Sequence, residues 1–135
     1  MGNPDSRMRN IFQIVSRANA AGIKAIRPGI KCSSVSSAGW DVVRDAGYGD
    51  LIRHGLGHGF GLDIHEPPGI GSGGSQATAP DSARLKKNMV VTVEPGIYID
   101  GKGGVRLEDD VLVTAAGYKV LTSLPTDLKS AILRR

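Results

Sequence analysis

Met89-Val90-Val91-Thr92-Val93-Glu94-Pro95-Gly96-Ile97-Tyr98-Ile99 is the stretch on which the fold class turns. Two runs rich in β-branched residues, 89–93 and 97–99, are parted by Glu94-Pro95-Gly96. Similar runs recur at 105–107, 111–113 and 119–121, again separated by Gly, Pro and Asp. Short runs of this composition between turn residues predict strands of a mostly antiparallel sheet. Upstream the period changes from two to that of a helix. Met8, Ile11, Val15, Ala18, Ala25 and Ile26 keep to one helical stripe over 6–26, and Pro28-Gly29 stops it. A shorter helix is predicted from about 34 to 46, with Val35, Ala38, Val42 and Val43 inward and Gly47 past its end. Two helices followed by strands read as α+β. Residues 68–82 read as a long polar loop of low complexity.

At 135 residues the chain has the size of one domain, 1–135, with one modest core. Its 40% apolar and 22% charged residues are those of a folding chain, far from the composition of a disordered one. No apolar run approaches the ~18 residues that span a bilayer, and Met1-Gly2-Asn3-Pro4-Asp5 lacks the basic and apolar pattern of a secretory leader. A soluble, cytoplasmic protein without a membrane partner is the expectation. The net charge of +4 resides in residues 1–53, which hold eight Lys and Arg against four Asp, while 54–135 balance nine against nine. Such a distribution argues against a nucleic-acid partner. Cys32 stands alone, forms no internal disulfide and reads as a buried thiol.

All three histidines fall within twelve residues, in His54-Gly55-Leu56-Gly57-His58-Gly59-Phe60-Gly61-Leu62-Asp63-Ile64-His65-Glu66. Glycine at 55, 57, 59 and 61 opposes a helix, so His54 and His58 are not a pair on one helical face. In an extended segment His54, Leu56, His58, Phe60 and Leu62 share a face, with His54 and His58 about 13 Å apart. One of the two can then ligate a given ion, leaving the other for substrate or a hydrogen bond. Glu94 and Glu108 end apolar strands, where buried charge needs a partner. A divalent cation such as Mn²⁺, Co²⁺ or Zn²⁺ is an economical partner for one imidazole and two carboxylates. Competing motifs fail on counting. Phe60 stands where a dinucleotide fingerprint from Gly55 needs glycine, and Gly103 replaces the Ser or Thr of a phosphate loop running from Gly96 to Lys102, a segment that reads as a turn. No Gly-x-Ser-x-Gly elbow occurs.

Three motifs in order, from His54 to Pro68, from Val93 to Tyr98 and from Gly104 to Thr114, resemble the pita-bread metallopeptidases, in particular Xaa-Pro aminopeptidases and Xaa-Pro dipeptidases, or prolidases. The Arg106-Leu107-Glu108-Asp109 pattern favours the proline-specific branch over methionine aminopeptidases. The resemblance implies half of a pita-bread fold, two helices followed by a curved sheet. It also implies hydrolysis of the bond preceding proline in a peptide substrate. Family members hold two divalent ions through two aspartates, one histidine and two glutamates, and an activated water attacks the amide. Carried over, His58 and Glu94 ligate one ion and Glu108 bridges both. His65 then stabilises the tetrahedral intermediate, His54 lines the substrate pocket and Arg106 orients a carboxylate or the substrate. The family's aspartate pair lies on a hairpin ahead of the first long helix, whereas only Asp5, Asp41, Asp45 and Asp50 precede His58 here. The expectation is therefore the carboxyl-terminal half of a catalytic domain, truncated, binding at most one ion and weak or inactive alone. It is also expected to form a homo-oligomer or to take a partner that supplies the missing half. The alternative is a non-catalytic pita-bread module that binds peptide or protein.

Overall fold

The computed structural model describes residues 3–71 and 82–132. Asp5 opens the first helix, its side chain accepting a hydrogen bond from the Met8 amide at 2.8 Å, as an N-cap does. Helix α1 runs Ser6–Ala25 and buries Ile11, Phe12, Ile14, Val15, Ala18, Asn19, Gly22 and Ile23. Helix α2, Cys32–Asp45, starts two residues earlier than the apolar pattern suggested and buries Trp40 and Gly39 besides Val35 and Val43. Gly47, at φ 81°, turns the chain out of it. A 3₁₀ turn at Gly49–Leu51 leads into the glycine-rich segment.

The strands are β1 (Gly57–Gly59), β2 (Glu66–Ile70), β3 (Val90–Val93), β4 (Gly96–Ile99), β5 (Gly103–Arg106), β6 (Asp109–Thr114) and β7 (Gly117–Val120), followed by a short helix α3 (Leu128–Ala131). Five form one sheet in the order β2-β1-β3-β6-β7, and β4 pairs with β5 alone. Every pairing among the described residues is antiparallel. The α+β class stands, with a third short helix added.

Three readings change. Residues 68–70 are not loop: they lie in β2, with Pro68, Gly69 and Ile70 buried. The prolines conceal this strand, because the register jumps from His58↔Gly69 to Gly59↔Glu66 and leaves Pro67 and Pro68 unpaired. The remainder of the expected loop, 72–81, lies outside the described residues. The turn expected over 96–102 shrinks to 100–102, since 96–99 are strand β4. The segment 54–62 does not present one extended face either: Leu56 is fully buried whereas Leu62 is fully exposed. Only Gly57–Gly59 is strand, and a bulge after His58 breaks the alternation.

Strands β3 and β6 carry the packing. Val91, Val93, Val111 and Val113, one face by the two-residue period, are fully buried in one cluster with Ile11, Val15, Trp40 and Leu56. No described helix is long and apolar enough to cross a membrane.

Candidate functional site

The opposite face of β3 and β6 builds the site. Val93 pairs with Asp109 in the large sheet and Gly96 pairs with Arg106 in the small one, so the chain passes between sheets twice, at 94–95 and at 107–108. The same register sets Glu94 opposite Glu108 across this seam, which the Leu107 amide helps to close by donating to the Pro95 carbonyl at 3.3 Å. Thr92 is opposite Asp110. With Arg106, these residues line an open cleft of about 470 Å³ together with His58, His65 and the apolar Phe60, Leu62 and Ile64. Like charges directly opposite on a ladder repel. Accordingly the Glu108 carboxyl, though exposed overall, is pushed above its ordinary value of 4.5, first by partial desolvation in the cleft, then by the Glu94 charge, with Asp110 adding and Arg106 and His58 opposing.

Around Glu94 the contacts are specific. Oε1 lies 3.0 Å from His58 Nε2 and accepts a hydrogen bond from Thr92 Oγ1, also at 3.0 Å, while Oε2 lies 3.6 Å from Arg106 Nε. The Glu94 amide donates to Leu56 O at 2.8 Å, and Asn19 Nδ2 donates to Val93 O at 3.0 Å, so helix α1 holds the strand end in place. The His65 ring lies 4.4 Å from that of His58. His54 sits elsewhere in the same network, between the Trp40 and Tyr98 rings at 5.7 Å from each, with Nε2 3.2 Å from Tyr98 Oη and 3.3 Å from an Arg106 terminal nitrogen. Arg106 thus links His54 to Glu94.

Of the residues singled out in the sequence, His58 and Glu94 are in contact. Arg106 lies 3.6 Å from Glu94, the His65 ring lies tilted at 51° beside that of His58, and Glu108 lines the same cleft. Among the described residues, no three His, Cys, Asp or Glu side chains converge closely enough to hold an ion as they stand. Asp5, Asp41, Asp45 and Asp50 are absent from the cleft wall. Sequence reading missed Thr92, Tyr98 and Asp110. Two of these carry a signal, for Thr92 and Asp110 lie two residues from Glu94 and Glu108 and so share their faces.

The description Metallopeptidase family M24 matches residues 1–115. The chain belongs to this family. Among relatives of this M24 chain, the Xaa-Pro dipeptidase of Pyrococcus furiosus is 41% identical over 128 residues, covering 95% of this chain and 35% of its own length. The solved Xaa-Pro dipeptidase from Bacillus anthracis superposes with a TM-score of 0.86 at 41% identity, covering 95% of this chain and 34% of that one. The X-Pro aminopeptidase from Thermotoga maritima gives 0.84 at 36% identity, covering 94% and 34%. The M24 chain therefore spans about a third of the length of the relatives it matches. Its α+β architecture, with a curved and unclosed sheet, is that part of the pita-bread fold.

M24 enzymes are metallopeptidases, and the donors present fit a divalent cation. In the tautomer whose Nδ1–H donates a hydrogen bond to the Gly59 carbonyl, 3.0 Å away, His58 Nε2 turns a lone pair toward Glu94 Oε1. Two electron-pair donors at 3.0 Å, with a second carboxylate opposite, call for a proton or a cation. Imidazole plus two carboxylates is a donor set suited to Zn²⁺, Mn²⁺ or Co²⁺.

Proposed function

We propose that this chain carries a metal- and peptide-binding part of a peptidase that hydrolyses the bond preceding proline. The observation that carries the reading is the facing of Glu94 and Glu108 across the sheet seam with His58 Nε2 3.0 Å from Glu94. That the three relatives named above are Xaa-Pro dipeptidases or an X-Pro aminopeptidase supports the proline branch. In this reading His58, Glu94 and Glu108 hold the ion. Bound there, a divalent ion supplies Lewis acidity toward the peptide carbonyl and a water that is nucleophilic at neutral pH. The chain's own residues do the rest. Arg106 holds a positive charge between Glu94 and His54, where it faces an anionic group of the peptide. His65, exposed beside His58, donates a hydrogen bond to the carbonyl oxygen as charge develops on it. Phe60, Leu62 and Ile64 offer an apolar wall that suits a proline ring.

The test is calorimetric titration of the 135-residue chain with Mn²⁺, Co²⁺ and Zn²⁺. One tight ion per chain is expected, lost in His58→Ala and Glu94→Ala. Two tight sites, or a site indifferent to His58→Ala, overturns the reading. Hydrolysis of Xaa-Pro dipeptides by the chain alone is expected to be poor, because none of the four aspartates ahead of His58 lines the cleft and the second ion would keep only Glu108. Robust metal-dependent turnover abolished by Glu108→Ala would contradict that. The same aspartate placement favours a second reading, a module that binds peptide without cleaving it, which proline-peptide binding without turnover would support. We further propose that the chain associates with a second copy or with a partner that supplies further strands.

A further inference from the structure

We propose that Thr92 is the positioning residue for the metal pair formed by His58 and Glu94, an inference that rests on the metal reading above. Thr92 is 3% exposed, and no part of it needs to touch substrate. Its hydroxyl joins the two candidate ligands from different strands. Thr92 Oγ1 accepts the backbone N–H of His58 at 3.0 Å and has Glu94 Oε1 at 3.0 Å, with the His58 carbonyl farther away at 3.4 Å. A hydroxyl has one proton, and the nearer, charged acceptor takes it. The bond chain therefore runs from the β1 backbone at His58, through Thr92 on β3, to the Glu94 oxygen that faces His58 Nε2.

The register shows why a hydroxyl is needed here. Gly59 pairs with Val91, which sets His58 beside Thr92 on the neighbouring strand, and Glu94 follows two residues on along the same face. Backbone pairing alone leaves the Glu94 side-chain torsions free. Arg106, 44% exposed at the side chain and 3.6 Å away, is a loose restraint on Oε2 only. Thr92 fixes the other oxygen, and it does so from a buried site where the bond is not contested by water. Valine has threonine's shape without the hydroxyl. In that variant the His58 amide loses its acceptor and Glu94 Oε1 loses its donor at once.

The experiment is Co²⁺ titration of the full 135-residue chain, read by visible d–d absorption and by calorimetry, in wild type, Thr92→Val, Thr92→Ala and Thr92→Ser. Outer partners of metal ligands are worth about 10–100-fold in affinity. Thr92→Val is expected to weaken Co²⁺ binding by at least about tenfold and to change the cobalt spectrum. Thr92→Ser, which keeps the oxygen, is expected to stay within about threefold of wild type. A folded Thr92→Ser chain weakened tenfold, or a folded Thr92→Val chain equal to wild type, overturns the role of Thr92 while leaving the metal reading intact. If Thr92→Val does not fold, Thr92→Ala, which likewise lacks the hydroxyl, takes its place in these outcomes. Failure of the wild-type chain to take up Co²⁺ overturns the metal reading and this role with it.

Discussion

Cys32 opens α2 at 1% exposure, and burial pushes its thiol above the ordinary value of 9.0. A buried, protonated thiol is a poor nucleophile, so a thiol-specific disulfide reagent is expected to label the native chain orders of magnitude more slowly than the denatured one. The linkage has a sign. Above 9.0 the unfolded thiol ionises while the folded one keeps its proton, so stability falls as pH climbs toward the folded value. Chemical denaturation at pH 8 and 10 should show a larger loss for wild type than for Cys32→Ala, and equal losses would contradict the burial argument. At this scale the sequence is informative where chemistry is rare. Three histidines in twelve residues and two glutamates at strand ends mark the site without coordinates. Thr92 and Tyr98 escape notice because each acts through register: a threonine in a β-branched run reads as strand filler until His58 is found beside it, and Tyr98 gains meaning only when His54 is seen 3.2 Å from its hydroxyl.

Among the elements, β1 shows how a three-residue strand can be indispensable. Leu56, the residue before it, is fully buried and projects into the gap between α1 and α2 that Gly22 and Gly39 leave open. Leu56→Ala is expected to cost about 2–5 kcal/mol. The glycines should rank by what a methyl group would meet. At Gly57 a Cβ would stand 1.9 Å from the Thr92 carbonyl oxygen, which is backbone and cannot yield without moving β3. At Gly22 the obstacles are side-chain methyls of Leu56 at 2.9 Å and Val93 at 3.0 Å, and alanine gains about 1 kcal/mol of helix propensity in compensation. Gly57→Ala should therefore destabilise by at least the upper end of the about 1–3 kcal/mol typical of overpacking, and Gly22→Ala by clearly less. Urea midpoints in the reverse order would refute this account. Both long helices and strands β3, β4 and β6 were legible because apolar runs and burial coincide there, whereas the largely exposed β5 and β7 were legible only as short runs between turn residues. Strand β2 was not, because Glu66-Pro67-Pro68-Gly69-Ile70 is built of strand breakers that pairing tolerates only through a skipped register. Segment 54–62 misled by its alternation: the backbone bulges after His58, and the alternating residues part between core and cleft.

For the molecule as a whole, the question is which surface a second chain would meet. Leu56 and Val93 are fully buried and offer no apolar face to a partner. Exposed apolar side chains gather instead at Leu62 and Ile64 beside the cleft, and at Tyr118, Val120, Leu121 and Leu124 along and after β7. The two edges of the five-stranded sheet differ in kind. At one, β2 carries two prolines that cannot donate to an added strand. At the other, β7 pairs with β6 on one side and has no strand on its other side among the described residues. Lys119 is its one charged residue, a weak guard for an edge flanked by a tyrosine and a valine. Association is therefore expected through β7, antiparallel and edge to edge, with the apolar residues that follow it buried in the contact. Light scattering on the purified chain should show mass rising above 14.2 kDa with concentration. Placing charge on the edge and its extension, as Val120→Lys with Leu124→Lys, should return it to monomer, since both positions are exposed and neither belongs to the buried cluster. A wild-type chain that stays monodisperse at 14.2 kDa and melts cooperatively would mean that β7 is a tolerated edge and that this fold is stable without added strands.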